Sequence, residues 1–245
     1  MKQGKFIIRS NREIAARTFL LEVTGDCSAT ERAGQFADIA IDGFFLRRPL
    51  AVMQWDATNM SLIYKVVGEG TKKLAAMTPG EQLDILTGLG NGFDASLSSG
   101  KALIVCGGIG ASPTFSLAKQ LRERGIEVNV ILGFNNASEI ILEDEYKALG
   151  CKVAVTTVDG SAGVRGFVTD ALQAMAPGCG CFYTCGPKVM MKAVCDALDI
   201  PGEASLEERM GCGCGICYGC TCHTQKGPKR VCADGPVFKK EDIVW

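Results

Sequence analysis

Residues 210–232, MGCGCGICYGCTCHTQKGPKRVC, constrain this chain more than any other stretch, because six of its 13 cysteines fall there among glycines. Cys212, Cys217, Cys220 and Cys232 read together as C-x4-C-x2-C-x11-C. That is the spacing by which four thiolates hold a [2Fe–2S] cluster, the last arriving from further along the chain. Gly211, Gly213, Gly215 and Gly219 fit the same reading, since a loop wrapped round a cluster bends sharply and aims backbone N–H groups at sulfur. A chain built on such a loop moves single electrons, and something upstream has to supply them.

At 245 residues the chain is long enough for one large domain, or two modest ones with an appendage. Its formal net charge of −1 offers no basic field for nucleic acid. So many cysteines would suit a secreted disulfide scaffold, but the start MKQGKFIIRSNREI lacks the apolar core of a signal peptide. No apolar run approaches the roughly 18 residues that span a bilayer. A reduced cytoplasm, with thiols serving metal or redox chemistry, is the expectation. Cys27, Cys106, Cys151 and Cys195 read as small core residues, and Cys179 and Cys181 likewise. The lone histidine, His223, lies in the cysteine-rich loop. That excludes histidine-rich metal catalysis, and His223 reads as an ordinary polar residue rather than the base of a hydrolase.

Residues 1–99 alternate short β-type runs (5–9, 18–23, 36–41, 50–55, 61–67, 82–86) with turns, the pattern of a small antiparallel barrel or sandwich. A helical turn at 71–77 is stopped by Pro79-Gly80. Two places look chemical. In Arg47-Arg48-Pro49-Leu50-Ala51 an arginine fork suits a pyrophosphate, and the extended backbone after it can line a flat ring. In Ile63-Tyr64-Lys65-Val66-Val67-Gly68-Glu69-Gly70-Thr71 a glycine-rich turn leads into a helix start with N–H donors for phosphate. Each alone also reads as a plain loop or N-cap.

From residue 100 to 203 the pattern becomes β–α alternation: strands at 101–106, 128–134, 152–157 and 181–185, helices at 114–124, 137–149, 167–175 and 188–198. This argues a doubly wound parallel sheet with helices on both faces. Gly107-Gly108-Ile109-Gly110 sits at the carboxyl end of the first strand, where such sheets bind ligands, and Cys185-Gly186-Pro187 ends a late strand. The loop at 159–166 reads as a cap for the helix after it. Asn135-Asn136 follows the second strand with no arginine for a 2′-phosphate, which favours NADH over NADPH.

R-P-L, then YKVVGEGT, then GGIGASP and last CGP, in that order, resemble the ferredoxin–NADP reductase superfamily. The resemblance implies a β-barrel that binds FAD through Arg48, Pro49, Leu50, Ala51, Ile63, Tyr64, Lys65, Gly70 and Thr71. It also implies an α/β domain that binds NAD through Gly107, Gly108, Gly110, Cys185, Gly186 and Pro187, with Cys185 beside the nicotinamide. Ala51 stands where such motifs commonly carry Ser or Thr. The narrower pattern SLEERM-x-C-G-x-G-x-C-x-x-C, then C-x-DGPVF, resembles the electron-transfer subunits of the NAD-dependent dihydroorotate dehydrogenases of pyrimidine synthesis. What that implies is a cytoplasmic electron-transfer subunit with Cys212, Cys217, Cys220 and Cys232 as cluster ligands. Its partner would be an FMN-containing catalytic subunit, the two forming a heterotetramer, with electrons passing from FMN through the cluster and FAD to NAD+. No residue of this chain need abstract a substrate proton.

The expected order is therefore an FAD-binding barrel (1–99), an NAD-binding α/β domain (100–203) and a [2Fe–2S] segment (204–245). Cys214 and Cys222 are extra thiols. The alternatives are a reductase subunit of the same build serving a ferredoxin, sulfide or hydrogenase system, and a zinc-stabilised nucleotide-binding regulator.

Overall fold

The computed structural model describes residues 1–98 and 100–245; the expected first boundary touches Ser99, which lies outside the described residues. Six strands close an antiparallel barrel: β1 (Lys2–Ala15), β2 (Thr18–Thr24), β3 (Phe36–Ala40), β4 (Arg48–Trp55), β5 (Asn59–Lys65) and β6 (Gln82–Leu89). Their order is β1-β2-β5-β4-β3-β6, with β6 returning to β1. Alternation builds it, because successive side chains of a strand point to opposite faces. Ala37 and Ile39 of β3, Val52 of β4, Leu62 and Tyr64 of β5 and Ile85 of β6 share the interior. Each fully buried Leu, Ile or Phe there contributes about 1.5–3 kcal/mol. Phe36 and Asp38 alternate to the outside of β3 yet are also buried. Phe36 packs with Cys220, Cys222, Val231 and Cys232, so the C-terminal segment covers that face of the barrel. After β5, α1 (Glu69–Ala75) begins where Thr71 Oγ1 accepts the backbone N–H groups of Val67 (3.0 Å) and Gly68 (3.2 Å).

The second unit runs β7 (Lys101–Gly107), α2 (Ala111–Glu123), β8 (Glu127–Phe134), α3 (Glu143–Ala148), β9 (Lys152–Thr157), β10 (Val164–Arg165), α4 (Leu172–Met175), β11 (Cys181–Cys185), α5 (Lys188–Ala197) and β12 (Gly202–Ser205). Residues 102–107 of β7 are all buried, as a central parallel strand covered on both faces requires. The helices expected over 137–149 and 167–175 are both interrupted. A 3-10 turn covers Ala137–Glu139, and Leu142 takes a left-handed φ of +61° just before α3. One continuous helix would spread Ile140, Ile141 and Leu142 over about 200° of its surface. Breaking it lets Ile141 and Leu142 both enter the core. A 3-10 turn at Val168–Ala171 likewise precedes the short α4.

The C-terminal segment does not stand apart. A hairpin of β13 (Thr221–Thr224) and β14 (Gly227–Arg230) follows the cysteine loop, and β15 (Val237–Lys239) then pairs antiparallel with β12. The sheet therefore has seven strands in the order β10-β9-β8-β7-β11-β12-β15. The expected division between 203 and 204 falls inside β12, and the chain leaves and rejoins one sheet. Among the described residues no helix is long and apolar enough to cross a membrane.

Candidate functional site

The carboxyl ends of β7, β8, β9 and β11 open on a cleft of about 590 Å³. That volume suits a small-molecule ligand, and the position is where doubly wound sheets bind one. Gly107, Gly108, Gly110, Gly186 and Pro187 all line it. A Cβ on Gly107 would meet Pro187 and Met190, one on Gly110 the Cys185 carbonyl, and one on Gly186 the backbone of Gly107. The two sequence motifs thus form a single wall in which backbone packs on backbone. Gly108 differs, with a φ of +55° and open space where a Cβ would stand.

Behind this wall a buried chain of polar groups holds the turn into α2. Tyr146 OH donates to the Ala111 carbonyl (2.8 Å) and lies 2.9 Å from Thr114 Oγ1, which is 3.0 Å from Cys106 Sγ. Burial pushes the Cys106 thiol up to about 12, so it acts as a neutral partner. Cys185 is also buried, which pushes its thiol well up, and it stands just behind the wall formed by Gly186 and Pro187.

Strand β5 divides its three expected residues. Tyr64 points into the barrel, where its hydroxyl donates to Asn11 Oδ1 (2.9 Å). Ile63 packs in the core shared with α2 and the sheet. Only the Lys65 side chain reaches the cleft, where Nζ lies 2.7 Å from Glu139 Oε1 and bridges barrel and sheet.

The two arginines before Pro49 also part company. Arg47 is held by Asp84 at 2.6 Å. Arg48 lies 4.9 Å from the Phe44 ring centroid, donates to the Leu46 carbonyl, and has no carboxylate partner among the described residues. A Cβ at Gly70 would run into its guanidinium, so glycine there makes room for it. Pro49, Leu50 and Ala51 continue along β4, half-buried. Helix α2 packs against β4. Ser112 and Ser116, one turn apart on the helix face opposite Thr114, are buried, and neither hydroxyl has a hydrogen-bond partner among the described residues. A guanidinium without a carboxylate partner and two buried hydroxyls on the helix that packs on β4 fit a flavin nucleotide, whose pyrophosphate and ring need such partners. Thr156 Oγ1, also buried and without a partner among the described residues, lines the cleft and fits a nucleotide there in the same way.

At the cysteine loop the thiols fall into two pairs. Cys212 lies within hydrogen-bond reach of Cys217, and Cys220 of Cys232. Backbone N–H groups aim at these sulfurs: Ile216 (3.2 Å) and Cys217 (3.4 Å) at Cys212, Gly219 at Cys217 (3.4 Å), and Cys232 at Cys220 (3.4 Å). Burial raises the Cys212 thiol, but the N–H groups of Cys217, Cys214 and Ile216 outweigh it and lower the thiol to about 6. Burial and the neighbouring Cys220 push Cys232 up to about 12. Among the described residues no three His, Cys, Asp or Glu side chains gather round one ion-sized point. Two pairs of thiols with N–H donors on the sulfurs fit a two-iron cluster. Cys214 is half-buried with its thiol against Cys212, while Cys222 is buried on β13 among Phe36, Met191 and Phe238. His223 is exposed. Of the other cysteines Cys195 alone is half-buried, and Cys27, Cys151, Cys179 and Cys181 are core residues.

Sequence reasoning passed over Glu139, Thr156, Met190 and Glu207 in the cleft wall. Thr156 could have been found from its place at a strand's carboxyl end, and Glu207 belongs to the SLEERM stretch. Glu139 gave no signal, because its role depends on Lys65 from the other unit.

Residues 207–244 match the iron–sulfur cluster binding domain of dihydroorotate dehydrogenase B, and residues 104–196 the oxidoreductase NAD-binding domain. The chain is 40% identical over 255 residues to the dihydroorotate dehydrogenase B (NAD+) electron transfer subunit of Bacillus pumilus, covering 99% of this chain and 98% of that one. Among solved structures, an NADH-dependent reduced ferredoxin-NADP oxidoreductase studied for flavin-based electron bifurcation superposes with a TM-score of 0.88 at 30% identity, over 98% of this chain and 90% of that one. A ferredoxin NADP+ reductase from Neisseria gonorrhoeae with bound FAD and NADP shares the fold at a TM-score of 0.69 and 19% identity, over 80% of this chain and 90% of that one.

Proposed function

The chain belongs to the family of dihydroorotate dehydrogenase B (NAD+) electron transfer subunits, and on that footing we propose that it accepts single electrons at the 212–232 loop and delivers them in pairs to NAD+ in the cleft. When bound, the [2Fe–2S] cluster supplies one-electron exchange and FAD the conversion between single electrons and a hydride. Cys212, Cys217, Cys220 and Cys232 would hold the cluster, and the backbone N–H groups aimed at their sulfurs would stabilise its negative charge. Arg48, with Gly70 and Thr71 below it, would grip the flavin pyrophosphate, and Pro49, Leu50 and Ala51 would lie along its ring. The backbone of Ile63, Tyr64 and Lys65 continues that wall. Gly107, Gly108 and Gly110 would take the dinucleotide phosphates, while Gly186 and Pro187, backed by Cys185, would seat the nicotinamide.

One observation carries this reading. The cysteine loop leaves and rejoins the sheet that forms the cleft, through β12 and β15, and rests on barrel strand β3, the hydrogen-bonded neighbour of the β4 segment that bears Arg48–Ala51. The one-electron and two-electron ends are thus tied to the same framework. Ile216 and Tyr218, 79% and 64% exposed at the loop tip, suit contact with the partner that we assign, an FMN-containing catalytic subunit in a heterotetramer with two of each chain.

Purified alone, the chain should contain iron and flavin and reduce an artificial acceptor with NADH, yet leave dihydroorotate unoxidised; adding the catalytic subunit should restore dihydroorotate-dependent NAD+ reduction. Dihydroorotate oxidation by the lone chain would overturn the division of labour. Turnover only with ferredoxin in place of that subunit would move the chain to the second kind of partner.

A further inference from the structure

Asp38 is a buried carboxylate that the reading above does not use. It is 2% exposed, and its Oδ1 has no hydrogen-bond partner among the described residues. On the outer face of β3, it pairs in register with Pro49 of β4 on one side and Leu86 of β6 on the other. Above it lies the cysteine loop: a Cβ at Gly213 would stand 2.6 Å from Asp38 Oδ2, and Gly213 holds a φ of +67°. Only glycine lets the loop settle this closely onto the carboxylate. The charged groups facing Asp38 are Arg47, Arg48 and the Cys212 thiol. The Arg47 guanidinium does not take the carboxylate; it donates to the Asp38 carbonyl (3.3 Å) and pairs with Asp84.

Such a group is costly as packing alone, since a buried carboxylate oxygen without a hydrogen-bond partner destabilises the fold. We propose that Asp38 is a positioning residue for electron transfer, whose negative charge under the Gly213 turn lowers the reduction potential of the cluster held by Cys212. A negative charge close to a redox centre in a water-poor interface disfavours the added electron. A lower potential makes the loaded loop a stronger one-electron donor. Arg47 and Arg48 face the carboxylate and oppose the cost of burying its charge.

The inference rests on the cluster reading, and the test separates the two. Cluster and flavin midpoint potentials are measured at pH 8 by redox titration with EPR and absorbance, in the full chain and in Asp38→Asn and Asp38→Glu. Removing the charge in a side chain of the same shape should raise the cluster potential and leave the flavin potential nearly still; Asp38→Glu, which keeps the charge, should stay closer to wild type. A loaded Asp38→Asn cluster with the wild-type potential overturns the inference, as does an equal shift in both variants, which would reflect packing. Loss of the cluster from both variants would make Asp38 a support for the loop and also overturn it. Wild-type chain without iron would instead overturn the cluster reading itself.

Discussion

The cleft and the cysteine loop are built on opposite plans. Backbone forms one wall of the cleft: Gly107, Gly110 and Gly186 interlock with no room for a Cβ, and Tyr146 and Thr114 hold the turn from behind. Side chains make the loop, where thiols are gathered in pairs under N–H donors, with Cys217, Ile216 and Tyr218 left exposed. The difference follows from what each end exchanges. A hydride moves only over contact distance between two rings, so its site must shape a cleft. An electron needs only proximity, so its site can sit at the surface where a partner docks.

The largest break in that comparison should come at the loop. Cys220→Ser should abolish bound iron and its visible absorption, while flavin reduction by NADH persists; Cys222→Ser should retain the iron. Loss of iron from Cys222→Ser, with Cys220→Ser still loaded, would reassign the ligands.

A smaller, complementary effect is expected at the cleft. Gly110→Ala forces a Cβ against the Cys185 carbonyl and should cost about 1–3 kcal/mol of stability, as overpacking does. The KM for NADH should rise several-fold with the cluster spectrum unchanged. An unchanged KM would mean that the glycine wall does not contact the nucleotide.

The smallest effect concerns the strut between the units. The Lys65 hydrogen bond lowers the Glu139 pKa below its ordinary 4.5, against a rise from burial. A depressed carboxylate stabilises the fold above its unfolded pKa and loses that contribution as pH falls through the folded value. Glu139→Gln should therefore cost less than about 1 kcal/mol near neutrality. The gap from wild type should close as pH drops below 4.5; a gap constant with pH would show that the pair contributes no charge-dependent stability.

Much of this was legible in the residues. Alternation in the first hundred residues predicts the barrel, β–α alternation the sheet, and the C-x4-C-x2-C spacing the iron–sulfur domain at the C-terminal end. The helix over 137–149 was misread because local propensity is continuous there, while burial of Ile141 and Leu142 together forces a left-handed residue. Tyr64 and Lys65 are adjacent in one motif, but strand alternation sends one into the barrel and the other to the cleft. Neither outcome is visible without knowing which face is covered.

Local chemistry is written in the chain itself: which backbone can turn, where thiols recur at cluster spacing, and the order of the units, all set by neighbours a few positions apart. Tertiary structure alone decided what lies across a gap. It made GGIG and CGP one wall, freed Arg48 while Asp84 held Arg47, returned β15 to the sheet, and set the cysteine loop over Asp38. Those contacts join residues from 32 to 175 positions apart, and only packing of whole elements brings such residues into contact.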